Sequence, residues 1–473
     1  MGKLKYLSKN IALFTISNFV SKILVFLLVP FYTNVLSTYE YGIADILQVT
    51  LLLLVPAFTI NIGEAALRFG IEHEEKRSSI FYTGIKYVLR ADVFTAIICL
   101  IGTFFVNSEI KKYLLFFIVL FLANSLYEFL ILYFQGSELV NIVVIGSVSC
   151  TLFTILSNLY FLLVLKIGLN GYLISQIIAF SLASAIMIFI GIKAEVIKKT
   201  EYDKSLEVEM LTYSKPMIAY STASWINNAV DRYFVAFLCG AAVNGIYGVA
   251  YKIPAILMVF QRIFAQAWQM SATKAHKDDN SDEFFSGMYT AYNTFMVVGC
   301  SALILFVRLV ALFLFRKEFY IAWRLVPPLL ISVIFGALTG FLGSICLAHK
   351  DSKSMGVATG IGALVNVILN LILIPHYEAM GASIATAVSY FIMSTLALAF
   401  VKKFTDLKVT VFKNLVGYLL IIAQSIIMIF EIRYDYFICA GLLLVICALY
   451  IKEVRSFLDL LKLRIAAKEG KNV

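Results

Sequence analysis

The stretch EYGIA at residues 40–44 recurs 206 residues later as IYGVA at residues 246–250, and each copy stands at the start of an apolar segment. The apolar segments before the two copies carry polar residues in matching positions, namely Thr15, Asn18 and Lys22 in the first and Ser221, Ser224 and Asn228 in the second. Residues 171–179 and 381–389 form a second pair, with small residues at equal spacing and an offset of 210. A recurring offset indicates an internal repeat. We therefore predict two copies of one helical unit.

The composition places this repeat in a membrane. Of the 473 residues, 61% are apolar and 14% are charged, whereas an ordinary soluble domain has about 25% charged residues. A membrane-spanning helix needs about 20 mostly apolar residues. These properties exclude a soluble enzyme, a nucleic-acid-binding protein and a disordered scaffold. We predict an all-α polytopic membrane protein.

The apolar windows predict about fourteen transmembrane helices joined by mostly short connections. Pro30, Pro56 and Pro254 lie inside windows, and each is expected to kink or end its helix. The first window is too long for the core of a signal peptide and is expected to remain as the first span. The windows lie near residues 11–36, 43–69, 80–106, 113–134, 140–165, 169–192, 216–240, 244–271, 284–315, 325–348, 354–375, 380–401, 411–430 and 436–451.

The repeat and the windows together define the expected domains. Equivalent spans lie six apart, so they run in the same direction, and two parallel six-helix lobes follow. Lys and Arg are concentrated in the loops of one side, which predicts that both termini are cytoplasmic. The predicted parts are an N-terminal lobe (1–192), a cytoplasmic linker (193–215), a C-terminal lobe (216–403), two additional helices (404–451) and an amphipathic cytoplasmic tail (452–473).

Cysteine and histidine form no disulfide or metal pattern. The seven cysteines lie scattered in apolar segments without a CxxC pair, and the four histidines are separated in sequence, so neither a disulfide framework nor a zinc site is predicted. The sequence has no G-x-x-x-x-G-K-[ST] loop, which argues against direct use of ATP. We expect no catalytic residues, no metal and no cofactor.

Charged residues inside the predicted spans are the candidates for function. A charge at the centre of a bilayer costs about 2.5–3.5 kcal/mol even on a lenient scale, so these side chains are expected to face a polar cavity. The basic members are Lys22, Arg68, Lys86, Arg90, Arg232, Lys252, Arg262 and Arg308, and the acidic members are Asp45, Glu64, Asp92, Glu128 and Asp231. The basic excess favours an anionic substrate such as a phosphate-bearing lipid.

Local pairing is the alternative for several of these charges. Arg68, Lys86 and Arg308 lie near span ends, where ion pairs or snorkelling would account for them. Glu64 and Arg68 are one turn apart and are expected to form a structural pair.

Other charges have no partner on their own helix. Asp231 and Arg232 are sequence neighbours that do not face each other, so each needs its own partner. Lys22 and Arg262 have no acidic residue one turn away, and for them the cavity interpretation is favoured.

Several motifs resemble one family of membrane proteins. They are GIYGVAYKIP at residues 245–254, IFAQAWQ at 263–269, NAVDRY at 228–233, and LIP at 373–375 followed by MGA at 380–382. These stretches are similar to the polysaccharide-export branch of the MOP superfamily, the Wzx-type flippases for lipid-linked oligosaccharides. The resemblance covers the first twelve predicted spans.

The resemblance implies two six-helix lobes in a V around a central cavity. It also implies alternating access that moves an undecaprenyl-diphosphate-linked oligosaccharide from the cytoplasmic to the outer leaflet of a bacterial plasma membrane, during export of capsule, O-antigen or a similar polymer. The polymerase and glycosyltransferases of the same pathway would be its protein partners. The last two spans would serve as a groove for the lipid tail or as a scaffold. Lipid II is disfavoured as substrate, because the first span offers Lys22 alone.

The resemblance also implies roles for individual residues. The substrate-binding residues would be Lys22, Arg68, Arg90, Asn228, Arg232, Lys252, Arg262 and Gln266. A proton or sodium gradient would drive the cycle, with Asp231, Glu64 and Glu128 as the candidate coupling carboxylates.

Two alternatives remain open at the level of sequence. A multidrug exporter of the same superfamily would present acidic residues to a cationic compound, and the basic excess argues against it. A membrane polysaccharide polymerase would need a sizeable outer loop or a catalytic domain, and the longest connection, 193–215, lacks paired catalytic carboxylates.

Overall fold

The computed structural model describes residues 26–106, 108–198, 203–275, 281–349 and 351–453, and within these ranges the chain is helical and has no β-strand. A π-helical turn (Leu159–Val164) follows α6, and 3₁₀ segments precede α4 (Glu74–Lys76) and α13 (Lys317–Leu325). The α-helices in chain order are α1 (Val29–Val35), α2 (Thr38–Phe58), α3 (Ile62–Glu72), α4 (Arg77–Gly102), α5 (Ser108–Gly136), α6 (Val140–Asn158), α7 (Gly168–Lys193), α8 (Lys204–Cys239), α9 (Ala241–Ala250), α10 (Pro254–Ala275), α11 (Ser281–Leu305), α12 (Val307–Leu314), α13 (Val326–Ala348), α14 (Ser352–Val401), α15 (Val411–Ile429) and α16 (Asp435–Leu449).

Many of these helices have the length and composition of membrane spans. Within the described ranges, eight helices are long and apolar enough to cross a membrane, and the bent pair α9 and α10 makes a ninth if it counts as one span. The helix α16 is a shorter apolar helix. The prediction of an all-α polytopic membrane protein is confirmed.

Two predicted spans are broken. The window 43–69 contains both α2 and α3, and between them Ile60 and Asn61 have left-handed φ angles of 55° and 54°. Pro56 has no N–H to donate to the preceding turn, and the Asn61 N–H donates to the Pro56 carbonyl at 2.8 Å, which turns the chain. The window 284–315 likewise divides into α11 and α12 around Phe306.

The kink predicted at Pro254 is present. The axes of α9 and α10 meet at 51°, because Pro254 begins a new helix and cannot donate a hydrogen bond to α9. A second bend lies inside α14 at Glu378, with φ 48° and ψ −132°. It falls between the predicted windows 354–375 and 380–401.

The chain divides into two compact units, with the boundary between Ala229 and Val230 inside α8. We call the part before this boundary unit 1 and the part after it unit 2. The helix α8 begins at Lys204, within the predicted linker. Its first half is bonded to unit 1, because Asn61 donates to the Met217 carbonyl at 3.1 Å and Trp225 donates to the Val49 carbonyl at 2.7 Å.

Unit 1 is held together by close contact of α3 with α5. A methyl group at Gly136 would lie 2.4 Å from the Leu67 carbonyl oxygen, and one at Gly70 would lie 2.9 Å from the Gly136 carbonyl carbon. Small residues allow two helix backbones to approach this closely. The contact borders an apolar core that includes Phe69, Leu130 and Phe134.

Unit 2 has an aromatic core and a polar seam. Trp268 is buried and stacks on Phe341 with ring centroids 4.1 Å apart. On another side of the unit, buried hydrogen bonds join α11 to α15: Asn293 donates to Asn414 at 3.0 Å, and Ser301 donates to Gln424 at 2.7 Å. Leaving such a group unsatisfied costs about 1–3 kcal/mol, so these bonds fix the predicted additional helices to unit 2.

Candidate functional site

A polar cavity of about 340 Å³ lies inside unit 1. Residues of α2, α3, α4, α5, α7 and α8 line it, and the described lining contains no Lys, Arg or His. Its polar lining residues are Gln48, Thr59, Asn61, Glu64, Asn124, Ser125, Glu128 and Ser221. The cavity thus combines two carboxylates with neutral oxygen and nitrogen groups.

The break between α2 and α3 shapes this cavity. The turn at Asn61 ends α2 and starts α3 in a new direction, so that Thr59 and Glu64 both line the cavity. The Asn61 amide donates to the Ser221 hydroxyl at 2.8 Å and so fixes the turn to α8. Opposite, a methyl group on Gly63 would lie 2.7 Å from a Leu132 methyl, so α3 and α5 are packed tightly there.

The two carboxylates of the cavity are not neutralised by the described residues. Glu64 is half-buried and Glu128 is exposed, and neither makes an ion pair or hydrogen bond with a described side chain. Asn124 is only 9% exposed, yet its amide has no hydrogen-bond partner among the described residues. Behind the lining, Ser125 donates to the buried Asp92 at 2.8 Å. The expected coupling candidates Glu64 and Glu128 therefore line one cavity.

The expected pair of Glu64 and Arg68 is wrong. Arg68 points away and contacts Glu72 instead, with Nε 3.2 Å from the carboxylate. Its guanidinium also lies 4.8 Å from the centre of the Tyr213 ring. Glu64 and Glu72 are equally far from Arg68 in sequence, one turn before it and one turn after it. The contact with Tyr213 of α8 holds the guanidinium on the side of Glu72.

The other basic residues of unit 1 have different surroundings. Lys86 binds Glu207 of α8 at 2.8 Å, and the Tyr87 hydroxyl donates to the same carboxylate at 2.6 Å, so Lys86 forms a structural ion pair. Arg90 is exposed, and its guanidinium lies 5.0 Å from the centre of the Tyr87 ring. Arg90 makes no ion pair with a described residue.

In unit 2, Asp231 is buried among hydrogen-bond donors. The hydroxyls of Tyr247 and Tyr251 both donate to Oδ2, the latter at 2.9 Å, and the Thr386 hydroxyl of α14 lies 3.3 Å from the same oxygen. The backbone N–H of Arg232 donates to Oδ1 at 3.0 Å. Asp231 was expected to need a partner, and its partners are thus hydroxyl groups. Two of the three hydroxyls come from Tyr247 and Tyr251, which lie one turn apart.

These hydroxyl partners were not identified from sequence. Tyr247 lies in the repeated motif, and Tyr251 follows it one turn later, so both lie on one helical face. Two tyrosines on one face of an apolar helix need hydrogen-bond partners when they are buried. From this requirement the contact of both tyrosines with Asp231 could have been predicted.

Three of the basic residues predicted to bind substrate lie in unit 2. The Arg232 guanidinium lies 5.0 Å from the centre of the Tyr251 ring. Lys252 is half-buried in the bend between α9 and α10. Arg262 is an exposed residue of α10, within the bent candidate span, and makes no ion pair, hydrogen bond or ring contact with any described residue. Arg262 is therefore a cation in an apolar helix without a protein counter-charge in the described structure.

Arg308 has a structural environment. It binds Asp435 of α16 at 2.7 Å, donates to the Met428 carbonyl at 2.8 Å, and lies 4.6 Å from the centre of the Trp323 ring. Arg308 therefore forms a local ion pair, as Lys86 does, and the alternative to a cavity-facing role applies to both residues.

Three predicted site residues are not placed. Lys22 lies outside the described residues. Asn228 and Gln266 belong to the described helices α8 and α10, but their side chains lie outside what the structure describes.

Comparison of the sequence with known proteins gives one family and two relatives. The family model described as "Polysaccharide biosynthesis protein" matches residues 7–269. The probable low-salt glycan biosynthesis flippase Agl15 of Haloferax volcanii is 24% identical over 204 residues, which are 42% of this chain and 43% of that protein. An uncharacterized membrane protein of Methanocaldococcus jannaschii is 24% identical over 265 residues, 52% of this chain and 62% of that protein. The matches thus span about half the length of these curated relatives.

Solved structures show the same fold. The lipid II flippase MurJ in an inward closed conformation aligns with a TM-score of 0.67 at 19% identity, over 95% of this chain and 99% of that one. An inward-facing multidrug resistance MATE family transporter of the MOP superfamily aligns with a TM-score of 0.63 at 10% identity, over 81% of this chain and 95% of that one. At these identities the likeness establishes the fold alone.

Proposed function

The chain belongs to the polysaccharide biosynthesis protein family of the MOP superfamily, and from this premise we propose that it is a flippase for a lipid-linked oligosaccharide. The resemblance found in the sequence motifs is confirmed by this membership. The proposed substrate is an undecaprenyl-diphosphate-linked repeat unit, moved from the cytoplasmic to the outer leaflet during polysaccharide export. The name of the Haloferax volcanii relative, a probable glycan biosynthesis flippase, supports the same substrate class.

The observation that carries the proposal is the environment of Arg262. A cation inside a candidate span is costly unless it has a counter-charge, and no described residue supplies one. An anionic substrate would supply it, because a guanidinium binds phosphate oxygens through two parallel hydrogen bonds. Arg262 is therefore the residue that we assign first to the diphosphate.

The other predicted basic residues extend this assignment. Arg232 and Lys252 lie close to the Tyr251 region of unit 2, and Arg68 and Arg90 lie in unit 1. We expect them to bind the diphosphate or acidic sugars, together with Lys22, Asn228 and Gln266.

The physical task of the protein is to lower a desolvation barrier. An ionised diphosphate cannot cross hydrocarbon unaided, because transfer of a charge from water into an apolar medium costs far more than thermal energy. A polar path with fixed cations replaces the lost hydration, while the lipid tail stays in the bilayer. We propose alternating access of the head-group path, driven by a proton or sodium gradient, with Asp231, Glu64 and Glu128 as the coupling candidates.

The proposed setting follows from the topology. We propose a plasma-membrane location with both termini cytoplasmic, since basic residues are concentrated in the loops of that side. Glycosyltransferases that build the repeat unit would act before the flip, and a polymerase would act after it.

Arg262→Gln tests the assignment against a matched arginine. Arg433→Gln is the control, because Arg433 lies in the connection between α15 and α16 and its guanidinium lies 5.1 Å from the centre of the Tyr434 ring. In cells depleted of the native protein, we expect Arg262→Gln to lower surface polysaccharide by about tenfold or more, the effect of losing one charge-assisted contact. Arg433→Gln should restore export, and equal export by both variants at equal membrane levels would contradict the assignment.

A multidrug exporter is the second candidate, and one observation favours it. The described lining of the unit 1 cavity has two carboxylates and no basic residue, which suits a cationic compound. Normal glycan export together with new drug sensitivity in depleted cells would support this candidate.

A further inference from the structure

We propose that α15 and α16 are a fixed brace of unit 2, which moves with α11 and α12 as one body and does not open during the transport cycle. The family resemblance left two roles open for these helices, a groove for the lipid tail or a scaffold, and the proposal assigns the scaffold role. The brace also holds the 3₁₀ segment Lys317–Leu325 in place. The inference rests on the proposed function only where it refers to the transport cycle.

Two helices in a bilayer need specific contacts to stay attached to a bundle. Lipid tails are as apolar as leucine side chains, so burial of apolar surface gives little driving force between membrane helices. The exposed side of α15 carries an apolar stripe, as expected of a face towards lipid, formed by Leu415, Leu419, Ile422 and Ile426. The polar residues on the buried side of α15 therefore decide what the two helices are attached to.

Asn414, near the start of α15, forms the first of three polar junctions. Asn293 of α11 donates to the side-chain oxygen of Asn414 at 3.0 Å, and the hydroxyl of Tyr450, directly after α16, donates to the same oxygen at 3.1 Å. The Tyr418 hydroxyl, one turn further along α15, donates to the Asn293 side-chain oxygen at 2.7 Å. Asn293 and Tyr450 are both buried. This junction ties the start of α15 and the end of α16 to α11.

Gln424, further along α15, forms the second junction. Its side chain is fully buried. The amide oxygen accepts from the Ser301 hydroxyl of α11 at 2.7 Å, and the amide nitrogen donates to the carbonyls of Ser301 and of Cys439 in α16 at 3.1 and 3.3 Å. Separation of α15 from either neighbour would leave polar groups without partners in hydrocarbon, which is costly.

Arg308 of α12 forms the third junction, at the opposite ends of α15 and α16. It binds Asp435 at the start of α16 and the Met428 carbonyl near the end of α15. The side chains of Arg308 and Asp435 are only 15% and 12% exposed. The guanidinium also lies 4.6 Å from the centre of the Trp323 ring and 5.5 Å from that of Tyr436. The third junction thus reaches the 3₁₀ segment as well.

The 3₁₀ segment Lys317–Leu325 needs support from outside. A 3₁₀ helix longer than three or four residues is uncommon, because its hydrogen bonds are poorly aligned, and this one has nine residues. Its Trp323 is buried against Arg308, and its Arg324 pairs at 2.8 Å with Glu431 of the connection between α15 and α16. The connection therefore holds an element of low intrinsic stability.

The three junctions act together because each contains groups of both α15 and α16. Neither helix can leave α11 and α12 alone without breaking bonds of the other. Single hydrogen bonds between membrane helices are weak, but opening the brace would break the bonds of several junctions at once. A brace that is bonded at both ends and in the middle is therefore a support, and a mobile gate would need fewer such bonds.

Hydrogen–deuterium exchange of the full chain in detergent tests whether these helices open together. We expect the amides of α11, α15 and α16 to share one level of protection. Gln424→Leu keeps a similar volume but removes the second junction, so exchange should rise at least about fivefold in all three helices. Ser425→Ala is the matched control, because Ser425 is also buried but its hydroxyl donates at 2.8 Å to the Ile421 carbonyl of its own helix. The control should exchange like the wild type.

Two exchange results would overturn the proposal. One is a wild type in which α15 and α16 exchange faster than α11. The other is a Gln424→Leu protein in which only α15 exchanges faster. The comparison within the wild type decides the matter if Gln424→Leu fails to fold.

Cross-linking tests whether the brace stays closed during transport. Arg324→Cys and Glu431→Cys together replace a half-exposed ion pair on the proposed outer side, and a bis-methanethiosulfonate reagent added to intact cells joins the two thiols. We expect the cross-linked protein to export newly labelled polysaccharide at the same rate as after reduction of the cross-link. The wild type treated with the same reagent is the control for the native cysteines.

Export that stops on cross-linking and returns on reduction would show that the connection must move, and would overturn the proposal. A failure of the proposed function gives a different result. Polysaccharide export would then be independent of the wild-type protein, while the exchange experiment, which needs no transport, would still show one level of protection.

Discussion

Asp231 illustrates how hydrogen bonds hold a buried carboxylate. Its carboxylate accepts hydrogen bonds from the Tyr247 and Tyr251 hydroxyls and from a backbone N–H. Hydrogen bonds to a charged group contribute about 1.5–3 kcal/mol each. Asp231 is therefore fixed by unit 2 whether or not it also couples transport to an ion.

Asp231→Asn separates these two roles. In this variant the amide nitrogen would face hydroxyl donors. We therefore expect its free energy of unfolding to be lower by about 1–3 kcal/mol. Transport in proteoliposomes, measured with and without an ion gradient, tests the second role. Unchanged transport and unchanged ion dependence would show that Asp231 is not the coupling carboxylate.

Two ion pairs within unit 1 differ in burial, and they join α4 and the 3₁₀ segment before it to the start of α8. Lys76 lies 3.0 Å from Asp203, and both are solvent-accessible. Lys86 lies 2.8 Å from Glu207, whose side chain is only 8% exposed. Exposed pairs are screened by water and contribute little, whereas loss of one partner leaves a buried charge unpaired.

We therefore expect Lys86→Met, which leaves the buried Glu207 carboxylate without its cation, to lower the free energy of unfolding by about 1–3 kcal/mol and Asp203→Asn to change it far less. The Leu206 N–H and then Lys76 lower the pKa of Asp203, so its contribution is present above the ordinary carboxyl pKa and is lost as the pH falls through the lowered value. Chemical denaturation at pH 7 compares the two variants. A larger effect of Asp203→Asn would contradict the burial argument.

At the residue scale, the sequence identified the charged residues inside the spans but not the residues with which they pair. Arg68 had acidic residues one turn away on both sides, and only the packing of Tyr213 from α8 selects Glu72. Lys86 has its partner 121 positions away in sequence. Such pairs depend on tertiary packing, which spacing along one helix does not encode.

At the element scale, hydropathy located the helices but missed some breaks. The windows found the spans because about 20 apolar residues have one stable arrangement in lipid. The break at Asn61 was missed because apolar residues continue on both sides of it, and a left-handed turn changes the direction of the chain without leaving a signal in the hydropathy. Pro56 and Pro254 were the sequence signals near the breaks, and only the structure shows that the first turn comes after Thr59.

The contact between α3 and α5 gives a test at this scale. Gly136→Ala would place a methyl group 2.4 Å from the Leu67 carbonyl oxygen, so the helices must separate, at a cost of about 1–3 kcal/mol. Gly360→Ala is the control, because Gly360 lies in α14 with no atom within 4 Å of the added methyl. We expect the control to be neutral or to gain up to about 1 kcal/mol of helix propensity.

Thermal unfolding in one detergent compares the two glycine variants. A Gly136→Ala protein as stable as Gly360→Ala would mean that α3 and α5 are not in contact through their backbones.

At the scale of the whole molecule, the two units carry different chemistry. Unit 1 encloses an acidic cavity, while Arg262 of unit 2 lacks a protein counter-charge among the described residues. The basic excess predicted from sequence is therefore not a property of every cavity in the protein. A flippase that binds an anionic head group and is driven by a cation would need both kinds of site.

The most direct measurement is mass spectrometry of lipid-linked glycans, with their sidedness, in cells depleted of this protein. We expect completed repeat units to accumulate on the cytoplasmic leaflet, and the mass of the lipid portion would identify the carrier. Unfinished units would indicate an enzyme of glycan assembly instead. Completed units that still reach the outer leaflet at the normal rate would contradict the proposal that this protein is the flippase.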